Sequence, residues 1–208
     1  TLAGSGAEAL RLAQATRFDV LLSDMRMPAM GGVELVHRLR RIDPGLPVIV
    51  ITAYTYDDDL QRARRVGLLA ILSKPVPIAQ LLELLSVARR DGLVALIEDD
   101  ATLSDNLTEV LRLHGFGAVT AASVLETERL GEISPCLGLV DMCLPGGPAG
   151  EAMRKLAERF PGLPMLVLTG HDSIAPPVAH AGCFCKPLHI PSLLDAMERL
   201  YQTRLKKA

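Results

Sequence analysis

Asp43-Pro44-Gly45-Leu46-Pro47-Val48-Ile49-Val50-Ile51-Thr52 returns later in the chain as Phe160-Pro161-Gly162-Leu163-Pro164-Met165-Leu166-Val167-Leu168-Thr169. Each stretch is a Pro-Gly turn followed by an unbroken apolar run that a threonine closes, the pattern of a strand covered on both faces. The two lie 117 residues apart, and the same offset carries Asp24 to Asp141, Pro28 to Pro145 and Glu34 to Glu151. A Lys-Pro follows in both places, Lys74-Pro75 and Lys186-Pro187, at an offset of 112, so the second copy is five residues shorter between its Thr and its Lys. A period this long describes tandem globular domains, not a solenoid of short repeats.

Outward from these strands, apolar runs alternate with amphipathic stretches. Phe18–Asp24, Leu46–Thr52 and Leu68–Ser73 read as strands, with helical spacing over Gly32–Arg41, Asp57–Val66 and Pro77–Arg90. The second copy reads as strands Leu93–Glu98, Ala118–Ala121, Leu137–Asp141, Leu163–Thr169 and Cys183–Cys185. Its helices are expected over Thr102–His114, Val124–Leu130, Glu151–Phe160 and Pro191–Arg204. Strict β-α alternation predicts an α/β fold, a doubly wound parallel sheet with its sites at the C-terminal strand ends. The expected domains are residues 1–91 and 92–208, joined by Asp91-Gly92, with Gly92 placed as a helix C-cap.

Composition narrows the function classes. In 208 residues, 22 Lys+Arg stand against 24 Asp+Glu for a net charge of −2, which gives no general attraction to nucleic acid or anionic lipid. The chain has no Trp, three Tyr and four Phe, too few for an aromatic platform for single-stranded nucleic acid. No uncharged apolar run is long enough to span a bilayer and no signal-peptide pattern opens the chain, so a cytoplasmic location with no membrane partner is expected. Cys183-Phe184-Cys185 sits in an apolar run, and buried reduced thiols are expected there.

The chemistry gathers at strand ends. Glu98, Asp99 and Asp100 follow the first strand of the second copy, and Asp141 ends its third. Adjacent strands of a parallel sheet would crowd these carboxylates, and a hard oxygen cluster of that kind suits Mg²⁺. Thr169 and Lys186 end the next two strands, supplying a hydroxyl and a compact cation. Together they form a site for an anion bridged to the protein by a metal, or carried by Asp141 itself as a nucleophilic carboxylate.

Both copies resemble the receiver domains of two-component response regulators, the CheY-like family. The second carries Ile97-Glu98-Asp99-Asp100, Leu139-Val140-Asp141-Met142, Leu168-Thr169-Gly170 and Cys185-Lys186-Pro187. The first carries Leu22-Ser23-Asp24-Met25-Arg26-Met27-Pro28, Ile51-Thr52-Ala53 and Ser73-Lys74-Pro75. The resemblance implies a flavodoxin-like (βα)5 sheet of order 2-1-3-4-5 in each complete copy. It also implies a phosphoryl group passed from a histidine kinase or histidine phosphotransfer protein to the Asp of the third strand. Asp141 would be the acceptor, with Asp24 its counterpart. Asp99, Asp141 and the Cys143 backbone carbonyl would hold Mg²⁺, with Glu98 acting through water. Thr169 and Lys186, matched by Thr52 and Lys74, would touch the phosphoryl group. Cys143 and His171, matched by Arg26 and Tyr54, occupy positions that tune dephosphorylation in the family. Such a domain is a phosphoacceptor signalling through protein contacts, homodimers included, and not a turnover enzyme.

Departures limit the likeness. Asp141 lies 42 residues after Asp99, whereas Asp24 has only 23 residues before it, so the first copy has no first strand, first helix or acidic pair. A missing central strand would bare apolar edges. It would be supplied by a longer protein or another molecule, or else the domain is degenerate. Ile71 and Cys183 stand where the family commonly has an aromatic switch residue, and Pro176-Pro177 interrupts the second copy's fourth helix. A pseudo-receiver acting as an interaction or dimerisation module is the alternative function, above all for residues 1–91. A haloacid-dehalogenase-like phosphohydrolase would need a second Asp two residues after the nucleophile, where Arg26 and Cys143 stand.

Overall fold

The computed structural model describes residues 1–53, 67–128, 130, 133–170 and 175–206. The expected helix over Asp57–Val66, together with Tyr54 and His171, lies outside them. The chain divides into two compact units, the first chiefly Thr1–Leu93 with Thr108–Val119, the second Val94–Leu107, Thr120–Leu130 and Pro135–Ala208.

The first sheet has three parallel strands in the order β1 (Leu21–Asp24), β2 (Val48–Thr52), β3 (Ala70–Ser73). Alternation along β2 sends its side chains to opposite faces. Val48 and Val50 pack with Val36 of helix α2 (Gly32–Ile42). Ile49 packs with Leu84 of helix α3 (Ile78–Val87). Helix α1 (Gly6–Ala15), which strand and helix spacing did not anticipate, lays Ala9, Leu10 and Ala13 against Leu35 and Leu39 of α2. Its start is written in the sequence as Ser5-x-x-Glu8: the Glu8 amide donates to Ser5 Oγ, and the Gly4 amide to the Glu8 carboxylate at 2.8 Å. Arg40, buried in α2, donates to the carbonyls of Pro44, Leu46 and Gly67, tying the turn before β2 to the residues before β3. Helix α3 ends at Val87 with Ala88 as its cap, several residues before Gly92, which is therefore not the C-cap. The left-handed residue there is Asp91, at φ 58°.

The second sheet has five strands in the order β5 (Gly117–Ala121), β4 (Leu93–Ile97), β6 (Leu137–Asp141), β7 (Met165–Thr169), β8 (Gly182–Cys185). Counted within this sheet the order is 2-1-3-4-5, and β4, β6, β7 and β8 run parallel. Helices α4 (Ala101–Leu113), α5 (Val124–Glu128), α6 (Glu151–Arg159) and α7 (Ile190–Leu205) follow their strands as the spacing predicts. Residues 175–181, which hold Pro176-Pro177, carry no helix. Strands β4, β6 and β7 are buried along their whole length. Strand β8 is not, and this overturns the expectation of buried thiols at Cys183 and Cys185: both are exposed, because β8 closes the sheet as an edge strand and turns one face outward. Cys136 is buried, Cys143 is exposed, and none of the four forms a disulfide.

Candidate functional site

Parallel register brings Asp141 opposite Leu168, and Thr169 opposite Cys185, so the C-terminal ends of β6, β7 and β8 form one rim. Strand β4 pairs with β6 through Ile97 and Val140, which sets Glu98 and Asp99 at the same end. Carboxylate oxygens of Glu98, Asp99 and Asp141 lie within 4.8 Å of one another. Lys186 reaches across from the end of β8: its ammonium stands 2.8 Å from the Glu98 carboxylate and also donates to Asp141 Oδ2. The Glu98 side chain is 0% exposed and that of Asp141 8%, so a cation is needed to hold two ionised groups at such depth. The Lys186 amide donates to the Thr169 carbonyl at 2.7 Å, which fixes where the lysine leaves the backbone.

Burial pushes the Glu98 carboxyl above its ordinary value even though Lys186 pulls the other way. Burial also works against the Lys186 ammonium, but its bonds to Asp141 and Glu98 outweigh that and raise its pKa. Asp100, third of the acidic run, is used differently: its Oδ1 accepts the amides of Thr102 and Leu103 and caps α4.

The first unit repeats this wiring with one carboxylate. Asp24 ends β1 and accepts the Arg26 amide at 3.1 Å, as Asp141 accepts the Cys143 amide at 2.8 Å. The Lys74 amide donates to the Thr52 carbonyl at 2.8 Å, and its ammonium pairs with Asp24. That hydrogen bond holds the Asp24 carboxyl below its ordinary value. Here the pair is open to solvent, with side-chain exposures of 45% for Lys74 and 36% for Asp24. Among the described residues no further carboxylate joins them as a metal-capable group. Thr52 and Thr169 are both buried, while Arg26 and Cys143 are exposed beside their Asp.

The donor set of the second unit fits a hard divalent cation. It offers three carboxylates, and Glu98 Oε2 is buried without a well-directed hydrogen bond.

Comparison with known proteins gives the family. The sequence profile of the response regulator receiver domain matches residues 1–86. A response regulator receiver protein of Anaeromyxobacter sp. (strain Fw109-5) is 60% identical over 203 residues, which cover 98% of this chain and 85% of that one. The chain belongs to the response regulator receiver family. It carries the receiver domain of a two-component response regulator. Sporulation initiation phosphotransferase F of Bacillus subtilis (strain 168) is 35% identical over 79 residues, 38% of this receiver chain and 64% of that protein. Among solved structures, the receiver domain of the Pseudomonas aeruginosa PAO1 sensor histidine kinase PA1611, with magnesium in its active-site cleft, matches at TM-score 0.48 and 18% identity. The match covers 53% of this chain and 98% of that one. No helix among the described residues of this receiver protein is long and apolar enough to cross a membrane.

Proposed function

We propose that residues 92–208 form a second, complete receiver domain in tandem with residues 1–91, and that Asp141 accepts a phosphoryl group from a phosphohistidine of a kinase or phosphotransfer protein. The supporting observation is Lys186, which bridges Glu98 and Asp141 at a rim that Thr169 shares. An Asp141 oxygen attacks phosphorus, the phosphorus–nitrogen bond breaks, imidazole leaves, and an acyl phosphate remains. Lys186 then has a phosphoryl oxygen in place of a carboxylate to pair with, and Thr169 lies one strand away to meet another. Glu98, Asp99, Asp141 and the Cys143 carbonyl would hold Mg²⁺, which supplies charge neutralisation for the incoming anion. The product is a signalling state read by protein contacts, not a released product of turnover.

For residues 1–91 a pseudo-receiver is the second reading, because among the described residues Lys74 meets only Asp24 and the pair is solvent-exposed; Asp24 would be an acceptor only with the missing segment supplied. The exposed Cys143 stands beside Asp141, where it would tune hydrolysis of the acyl phosphate; Arg26 holds the matching place beside Asp24 and would do so only if Asp24 were phosphorylated.

The test is intact-mass measurement after acetyl phosphate with Mg²⁺, on the wild-type chain, Asp141→Asn and Asp24→Asn. One phosphoryl group on wild type and Asp24→Asn, and none on Asp141→Asn or in EDTA, is expected. Label retained in Asp141→Asn and lost in Asp24→Asn would assign the acceptor to the first unit.

A further inference from the structure

Strand β8 is an edge of the second sheet, and among the described residues it pairs with β7 alone. Its burial alternates: Cys183 and Cys185 are exposed, Gly182 and Phe184 half-buried, so both thiols stand on one face of the edge strand. The backbone follows the same rhythm. The Ala181 amide donates to the Met165 carbonyl, and Cys183 and Cys185 keep that offset against Val167 and Thr169. In a parallel ladder alternate residues bond to one neighbour, so Gly182 and Phe184 turn their amides and carbonyls away from β7. The two thiols cannot bridge each other. Two residues apart on a strand, their Cβ atoms are separated by about 6.6 Å, whereas a disulfide needs about 3.5–4.5 Å. Cys136 is buried, and Cys143 follows β6, two strands from β8, which is about 10 Å at the ordinary strand spacing.

We propose that Cys183 and Cys185 are an oxidisable pair through which two copies of this chain lock edge to edge, β8 against β8. Cys183-Phe184-Cys185 reads the same in both directions. An antiparallel pair centred on Phe184 therefore sets Cys183 of one copy opposite Cys185 of the second copy, twice, about a two-fold axis. The outward amide and carbonyl of Phe184 make the central pair the hydrogen-bonded one. The cysteine pairs on either side are then the closer, non-hydrogen-bonded kind, with Cα atoms about 4.5 Å apart, inside the range of about 4.4–6.8 Å that disulfides span. A peroxide supplies the oxidation. One thiol is oxidised to a sulfenic acid as the peroxide is reduced to water, and the opposed thiol then attacks that sulfur and expels a second water as the disulfide forms. The short edge makes this contact a switch. A four-residue strand, followed closely by Pro187 with no amide to donate, offers too few ladder bonds to hold a reduced dimer. Phosphoryl transfer plays no part, so the lock stands or falls apart from the acceptor role of Asp141.

The test uses the full 208-residue chain carrying Cys143→Ser, which leaves Cys183 and Cys185 as the exposed thiols. The protein is reduced, desalted and treated with hydrogen peroxide. Non-reducing electrophoresis and intact mass should show a covalent dimer that dithiothreitol returns to monomer. Adding Cys183→Ser or Cys185→Ser removes every opposed thiol pair, so each of these chains alone should lose the dimer. Mixing the two in equal amounts restores one opposed pair and should bring back a dimer joined by a single disulfide. That rescue also shows that both variants are folded. A parent chain that stays monomeric, a single variant that dimerises to the parent's yield, a mixture that stays monomeric, or a monomer lighter by two hydrogens from an internal bridge would each overturn the proposal.

Discussion

Replacing Lys186 by Met removes an ammonium while keeping much of its volume, and the same change at Lys74 is its internal control. At Lys186 two carboxylates lose their cation, one 0% and one 8% exposed. Stranding a charge in a buried pair costs about 3–5 kcal/mol. Because the Lys186 side chain keeps 25% exposure, water takes up part of the loss, and about 2–3 kcal/mol is the expected cost in metal-free buffer. For a domain of this size that is a drop of about 8–12 °C in the unfolding midpoint. Lys74 and Asp24 are each more than a third exposed, so Lys74→Met should cost less than about 1 kcal/mol. Calorimetry of the two variants and wild type in EDTA reads the difference. Added millimolar Mg²⁺ should restore most of the loss in Lys186→Met, since a divalent cation neutralises the same carboxylates. Equal costs at the two lysines, or a Lys186→Met midpoint in EDTA matching wild type, would refute the claim that burial of Glu98 and Asp141 makes the lysine necessary.

Arg40→Met takes the Arg40 donor from the buried carbonyls of Leu46 and Gly67 and the half-buried carbonyl of Pro44, and should cost about 3 kcal/mol by urea unfolding. Leu139→Ala should cost about 2–5 kcal/mol, and Leu22→Ala less than about 1 kcal/mol, because one side chain is sealed in the sheet and its counterpart meets water. An aromatic disulfide reagent should modify Cys143, Cys183 and Cys185 in the folded protein and reach Cys136 only on unfolding.

Much of this architecture is legible because buried parallel strands write themselves as short apolar runs. Leu137–Asp141 is β6 residue for residue, and the other strands start within three residues of expectation. The rim residues Glu98, Asp99, Asp141, Thr169 and Lys186 could be named because each ends a strand, and a shared register then brings the ends together. Burial on β8 could not be read this way. Its apolar letters match those of a core strand, and its place at the sheet edge is set by order, which no local pattern carries. Helix α1 precedes the first strand and so falls outside the strand-helix alternation, although Ser5 and Glu8 spell its cap. Arg40 is silent in sequence: a cation among charged helix residues reads as solvated, and its burial depends on carbonyls from the turn after α2 and from Gly67, far along the chain.

The exposure of Leu22 has a consequence for handling the protein. Among the described residues the first sheet stops at β1, and an apolar edge strand adds extended chain that it meets, which a crowded solution offers in plenty. Its solubility should therefore fall with concentration more steeply than a net charge of −2 alone would dictate. A polar substitution at this one surface position should raise the working concentration without touching either acidic site.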